Sequence, residues 1–448
     1  MKPKNKIPVL LAVTALLGWQ GSARAQAPRV LTLQQAIEMG MQNNHSLKIS
    51  ETRTEIAEAK LQQVKDKSLP QIGTSWQYSR LYVLSDFAMY MGGEKPAFAL
   101  PASHFDAMIG MTSARKEIFG GFAERAAHQT NENLVAASKL DAERDQSELK
   151  YNIIALYYNI YKIMKSEQIL DSNLVLLSHK EEEVNHLLKE GVVTSNEVLK
   201  IQLQKSNLEL AKVDVRNAYA VAVNNLSILL GIAEEESITI DTLLQLQQPV
   251  TAMPETELAA TAAVNRPELR SMQFQVKAAE GGYRQLQSAM YPHLEVSAMH
   301  IYLNPVAEHE IIPPKTEFMN ALNLGVSLKY NISSLYGLKG KKQEARLNIQ
   351  QARNAAVLME DRVRQEVYSQ YKSYQSALEK IKVSEVALRQ ATRSFQLTDS
   401  KFRNGLLLST DLLESQNLLQ QAQLNLLSAQ VDAQVAYARL EKATGAQL

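Results

Sequence analysis

Glu190-Gly191-Val192-Val193-Thr194-Ser195-Asn196-Glu197-Val198-Leu199 interrupts a very long run free of glycine and proline, and the interruption returns 214 positions later as Asn404-Gly405-Leu406-Leu407-Leu408-Ser409-Thr410-Asp411-Leu412-Leu413. Residues 122–190 hold no Gly or Pro over 69 positions, and residues 341–404 hold none over 64. After each interruption comes a further 39-residue run, 192–230 and 406–444. Uninterrupted patterns of this length point to coiled coil rather than to an ordinary globular domain. At the rise of an α-helix the long runs would extend ~104 Å and ~96 Å, and the returning runs ~58 Å each. Each interruption therefore reads as the glycine tip of a helical hairpin. Thr194 and Glu197 have the T-x-x-E spacing of a capping box that restarts the helix.

Working outward, the duplication extends over most of the chain. Asn43-Asn44-His45-Ser46-Leu47 matches Asn265-Arg266-Pro267-Glu268-Leu269, and Pro70 matches Pro292, both at an offset of 222. Beyond the strands the offset is 214, with Ser195, Leu199, Gln202, Leu210, Leu226 and Gly231 matching Ser409, Leu413, Gln416, Leu424, Leu440 and Gly445. The first copy thus carries about eight extra residues, assigned to the loop at 83–104. The organisation expected is a first structural repeat over 26–231, a joining segment over 232–255 with a short strand at Ile238-Thr239-Ile240, and a second repeat over 256–448. Each repeat opens with a helix, in the first from about 33 to 67 after the capping pair Thr32 and Gln35. Two strands, a long helix, a tip and a returning helix follow.

Residues 1–25 read as a signal peptide: Lys2, Lys4 and Lys6 precede the apolar stretch 7–17, and Ala23-Arg24-Ala25 offers a cleavage site. Removing them takes the net charge from +1 to −3, and the remaining cations are dispersed, which argues against nucleic acid. There is no cysteine, hence no disulfide framework or thiolate chemistry. No later stretch is long and apolar enough for a transmembrane helix, so entry into a membrane would require strands. Four are expected, at about 71–82, 105–118, 293–302 and 317–332. Ile72, Thr74, Trp76 and Tyr78 alternate with polar or small residues, as do Leu322, Leu324, Val326, Leu328 and Tyr330. That period of two is the barrel signature, and Trp76, the only tryptophan past residue 25, suits an aromatic girdle. Four strands cannot close in lipid, so copies of the chain must pool them. Two copies give eight strands and three give twelve; a duct lined by such long helices favours three.

The chain resembles the TolC family of outer-membrane efflux proteins over essentially its whole length after the signal peptide. The resemblance rests on Leu31-Thr32-Leu33 with Ala36-Ile37, on Asn265-Arg266-Pro267-Glu268-Leu269, on Phe119-Gly120-Gly121, and on the tips Gly191…Glu197-Val198-Leu199 and Phe402…Gly405…Asp411-Leu412-Leu413. It implies an α+β membrane protein: a homotrimer with a 12-stranded outer-membrane barrel continuous with a long α-helical barrel reaching into the periplasm. It also implies a periplasmic adaptor and an inner-membrane transporter as partners. The function implied is a passive export duct for efflux or type I secretion. The rivals are a periplasmic adaptor, which normally has one hairpin and no lipid-facing strands, and a plain coiled-coil spacer.

The sequence offers no catalytic constellation. His179 and His186 could share a helical face, but two histidines cannot fill a zinc shell. Leu335-Tyr336-Gly337-Leu338-Lys339-Gly340-Lys341-Lys342 lacks the first glycine and the final Ser or Thr of a phosphate-binding loop and reads as a turn whose glycines permit unusual φ. No cofactor or metal is expected. The polar and apolar clusters at the tips carry the functional expectation. Gly191, Val192, Val193, Gly405, Leu406 and Leu407 are assigned to adaptor docking, because exposed apolar residues at a helix-hairpin tip suggest a partner surface. Asp411 and Glu414, three apart on one face, are assigned to a carboxylate ring at the periplasmic mouth, the competing role for Asp411 being to cap its helix. By resemblance Phe402 is associated with closure, while Leu407 stands where a basic residue helps lock the mouth in the best-known pattern. A salt-linked closure is therefore not expected, and an apolar constriction at Phe402 takes its place.

Overall fold

The computed structural model describes residues 29–90, 92–94, 98–100, 102–232, 238–241, 253–307 and 319–446. The expected signal peptide, most of the joining segment and Glu317 and Phe318 lie outside the described residues. In chain order, β1 (Arg29–Leu31) leads into α1 (Leu33–Asn43) and α2 (His45–Lys67). Next come β2 (Gln71–Val83), the short β3 (Phe87–Met89) and β4 (Phe98–Leu100), and β5 (Ser103–Gly120). The first helical hairpin is α3 (Ala123–Lys189) and α4 (Ser195–Leu230). After β6 (Ile238–Ile240) come α5 (Glu255–Asn265), α6 (Pro267–Ser288), β7 (His293–Ala307) and β8 (Met319–Lys329). The one-turn α7 (Ser334–Gly337) precedes the second hairpin, α8 (Lys339–Arg403) and α9 (Ser409–Thr444). Helix pair, strand pair, long helix and shorter helix thus occur twice.

Four local expectations need correction. The opening helix is broken at Asn44, whose backbone is extended (ψ 126°). The returning helices begin at Ser195 and Ser409, because the tips use the residues before them. The last strand stops at Lys329 rather than near 332. Gly337 and Gly340 are helical and are absent from the positive-φ glycines, so that segment is two helix starts and needs no special backbone.

The break at Asn44 has a tertiary cause. Its side-chain amide donates to the carbonyl of Leu229 at 2.8 Å, in the last turn of α4. Gly231 ends that helix in the left-handed region (φ 66°), and a Cβ there would lie 2.8 Å from the Asn43 carbonyl oxygen. The second half repeats the device. Arg266 separates α5 from α6, and its Nη1 donates to the Lys442 carbonyl at 3.1 Å. Gly445 (φ 71°) would bring a Cβ within 3.0 Å of the Asn265 carbonyl carbon. Arg266 is buried and also pairs with Glu268 at 3.0 Å and Glu366 at 2.8 Å, which satisfies the charge.

The residues divide into two compact units. The first gathers the described parts of Met1–Asn44, Asn152–Pro249 and Ala377–Val435. In it β1 pairs parallel with β6, and the buried Tyr157 hydroxyl donates to the Leu31 carbonyl at 2.9 Å. Burial pushes that phenol's pKa up. The second unit gathers His45–Tyr151, Val250–Ser376 and Ala436–Leu448. Its helical core holds Ala262, Leu269, Val363, Val367 and Ala443.

The second unit also carries the sheet, antiparallel in the order β2-β5-β7-β8. Register puts Ile72, Ala114, Ala298 and Leu324 side by side, and Trp76, Gly110 and Tyr302 four positions on, on the same face. This face is apolar and open: Ile72 is 75% exposed and Leu324 73%, with Tyr78, Leu322, Val326 and Leu328 similar. Trp76 lies across β5 to reach Tyr302, ring centroids 5.7 Å apart. Gly110 makes that possible, since a Cβ there would sit 2.7 Å from the indole. Among the described residues no strand covers the outer edge of β2 or of β8.

Candidate functional site: the paired hairpin tips

Both tips close in the same way. Gly191 (φ 74°) and Gly405 (φ 70°) adopt the left-handed conformation that ends a helix. The Val192 N–H reaches back to the Leu187 carbonyl at 2.9 Å and the Leu406 N–H to Lys401 at 3.0 Å, closing Schellman-type turns. A side chain on either glycine would meet nothing within 4 Å, so φ alone demands glycine there.

Beneath the tips the two hairpins share one core. Leu170, Leu177 and Val184 of α3 pack with Val198, Ile201 and Leu208 of α4, Phe402 of α8 and Leu412 of α9. Phe402 is 3% exposed, so in this conformation its ring fills the tip core. Val193 packs partly buried against the same cluster, and Leu407 is half-buried. Val192, Leu406 and Leu408 are exposed, Leu406 by 71%. The six residues assigned to docking thus split into turn-forming glycines, partly packed Val193 and Leu407, and exposed Val192 and Leu406.

The polar residues depart from expectation. Thr194 makes no side-chain cap, so the expected capping box is not formed. The Glu197 carboxylate instead accepts the hydroxyl proton of Ser409 on the other tip and pairs with Lys200 at 3.1 Å. Asp411, its counterpart in the second copy, stays local: its carboxylate accepts the Leu408 N–H at 3.3 Å, capping α9 from the third helical position. Glu414 is exposed and lines a groove of about 630 Å³ between α4 and α9, with Lys200, Leu203, Gln204 and Leu418. Asp411 is not among the groove's lining residues.

Sequence reading missed a buried charge cluster. Lys180, 3% exposed, sits between α3 and α8. Its ammonium pairs with Glu183 at 2.7 Å and with Asp399, and Arg403 reaches Asp399 at 3.1 Å. Lys180 opens the run Lys180-Glu181-Glu182-Glu183, which looks solvated. The available signal was spacing: Lys180 falls three after Leu177 and four before Val184, on the buried stripe. Its neighbour Glu181 accepts from Gln202 at 2.8 Å and pairs with Lys205 at 3.3 Å. Those partners, Gln202 foremost, hold the Glu181 carboxyl below its usual range.

No helix among the described residues is long and apolar enough to cross a membrane. The second unit carries a sheet with an open apolar face, and the first carries the paired hairpin tips. Residues 258–446 match the family model of the outer membrane efflux protein. The outer membrane efflux protein BepC of Brucella suis biovar 1 is 22% identical over 441 residues, spanning 98% of this chain and 89% of that protein. In fold, the chain is similar to the outer membrane protein VceC of Vibrio cholerae, with TM-score 0.74 at 17% identity over 92% of this chain and 96% of that one. The CmeC outer membrane channel of Campylobacter jejuni aligns with TM-score 0.78 at 14% identity, over 92% and 85%. Residues 258–446 carry the outer membrane efflux protein domain, and the chain is similar along its length to outer-membrane efflux channels, which supports an outer-membrane export duct with a periplasmic helical extension.

Proposed function

We propose that the duct is a homotrimer in which three four-stranded sheets close one 12-stranded barrel. In this reading 26–231 and 256–448 act as two structural repeats joined by 232–255. Solutes arrive from an inner-membrane transporter through a periplasmic adaptor that docks at the tips and leave to the exterior. The observation that carries this reading is the sheet: it exposes an apolar face, and the outer edges of β2 and β8 are open. Hydrocarbon tolerates neither edge, because each unpaired backbone group there costs several kcal/mol. Pooling strands between copies satisfies both at once.

At the tips, Val192 and Leu406 are the adaptor's apolar contacts, framed by Gly191, Val193, Gly405 and Leu407. Glu414 supplies the mouth's carboxylate. Asp411 supports it by holding the first turn of α9, and Phe402 keeps the mouth narrow from within the tip core. The test is the mass of the processed protein, extracted from membranes in a nonionic detergent and measured by light scattering. Three chains per particle are expected. A stable, detergent-free monomer would remove the barrel and the duct together.

A further inference from the structure

β5 reaches α3 through Phe119-Gly120-Gly121-Phe122, and this turn is unusual. Gly121 (φ 62°) is followed by Phe122 (φ 69°), the only residue other than glycine with positive φ among the described residues. Bulky side chains rarely adopt that conformation. Gly121 passes so close to the end of α6 that a Cβ would lie 2.4 Å from the Ser288 carbonyl oxygen. The result is to hold the Phe122 ring out, 59% exposed, edge-on to Phe119 at 5.3 Å and to Tyr291 at 5.9 Å. Phe119 pairs across the sheet with Leu294, and Leu294 with Leu328. The aromatic row therefore continues the open apolar face beyond the end of the strands.

Alongside the row lies a groove of about 570 Å³ lined by Phe122, Arg125, Arg284, Met290, Tyr291 and Lys342. No carboxylate lines it. None of its three cations has an ion pair among the described residues, whereas most cations near the tips do. An apolar face that ends in aromatic rings and then in unpaired cations matches an amphiphile with an anionic head. We propose that this groove seats the phosphate headgroup of a phospholipid from the periplasm-facing leaflet, with its acyl chains along the exposed sheet. The two guanidinium groups suit phosphate oxygens, and the rings suit the membrane–water boundary. The inference rests on the reading of the sheet as lipid-facing.

The test uses the processed, delipidated protein in nonionic detergent, incubated with phosphatidylglycerol and examined by native mass spectrometry. At least one lipid per chain is expected to remain bound. The combined Arg125→Gln, Arg284→Gln, Lys342→Gln variant should bind at least about tenfold more weakly. A matched Lys48→Gln, Lys60→Gln, Lys65→Gln variant should bind as the parent does. Phe122→Gly relieves the backbone and removes the ring; it should keep its fold and weaken binding, which covers failure of the triple variant to fold. Equal retention by parent, triple variant and Phe122→Gly overturns the proposal. So does a parent that retains no lipid, as when a second copy covers the groove. Displacement by millimolar inorganic phosphate would make the ligand a soluble anion and also overturn it. Failure of the lipid-facing reading itself shows separately, as a parent protein that needs no detergent.

Discussion

Glu197 and Asp411 occupy equivalent positions in the two copies and do different work. Asp411 closes its own helix start, while Glu197 crosses to Ser409 and ties one tip to the other. A hydrogen bond to a charged acceptor contributes roughly 1.5–3 kcal/mol. In a double-mutant cycle of Glu197→Ala and Ser409→Ala, read by guanidinium unfolding, the coupling should be about 1 kcal/mol or more. Strict additivity would show that the contact contributes nothing. Lys180 gives a second case. Replacing it by Met leaves Glu183 and Asp399 short of a cation in a buried place, a change that costs about 3–5 kcal/mol in general. Arg403 still reaches Asp399 at 3.1 Å, so the loss expected from the same unfolding experiment is about 3 kcal/mol, the low end. An unchanged midpoint would show that the cluster is solvated. Neither feature could be read from a local motif. The Thr194…Glu197 spacing suggested a cap, and the tertiary partner Ser409 won. Lys180 was hidden by the acidic residues beside it, although its place on the Leu177–Val184 stripe was visible.

At the scale of elements, the long helices and glycine tips were legible because nothing in 122–190 or 341–404 can stop a helix and Gly191 and Gly405 must turn it. Strands were legible by alternation, and their ends shifted by a few residues. The break at Asn44 was not read, because no proline forces it; it depends on a bond to Leu229, 185 positions away. A hint lay in the matching Arg266-Pro267, where proline does force the break. Two predictions belong here. Val192→Asp with Leu406→Asp should abolish cross-linking to the adaptor while trimer yield stays unchanged, because both side chains are exposed and outside the core. Undiminished cross-linking would make the tips purely structural. The α3–α4 hairpin also has an acid limb. The Glu181 carboxyl is lowered in the folded state, so its contribution is present above the ordinary carboxylate pKa of about 4.3 and is lost as pH falls through the lowered value. Glu181→Gln should flatten the fall of the melting temperature below about pH 4, relative to the parent. A parallel fall in both proteins would contradict the assignment.

For the whole molecule, the decisive fact is that the chain cannot finish its own sheet. The apolar face of β2 and β8 is solvent-exposed, and the two outer edges are the only open ones in the order β2-β5-β7-β8 among the described residues. The Trp76–Tyr302 pair spans the middle over Gly110 and leaves the edges free. If the duct is a ring of copies, β2 of one must lie beside β8 of the next, with backbones ~4.8 Å apart, within reach of a disulfide. The chain contains no cysteine, so introduced pairs report without background. The measurement is a cysteine scan that combines Gly73→Cys, Ser75→Cys or Gln77→Cys in β2 with Asn323→Cys, Gly325→Cys or Ser327→Cys in β8. Outer membranes are oxidised and then separated in SDS without reductant. The account predicts that at least one register gives a covalent ladder of one, two and three chains that stops at three. No cross-link in any register, or a ladder that stops at two or runs past three, would contradict it.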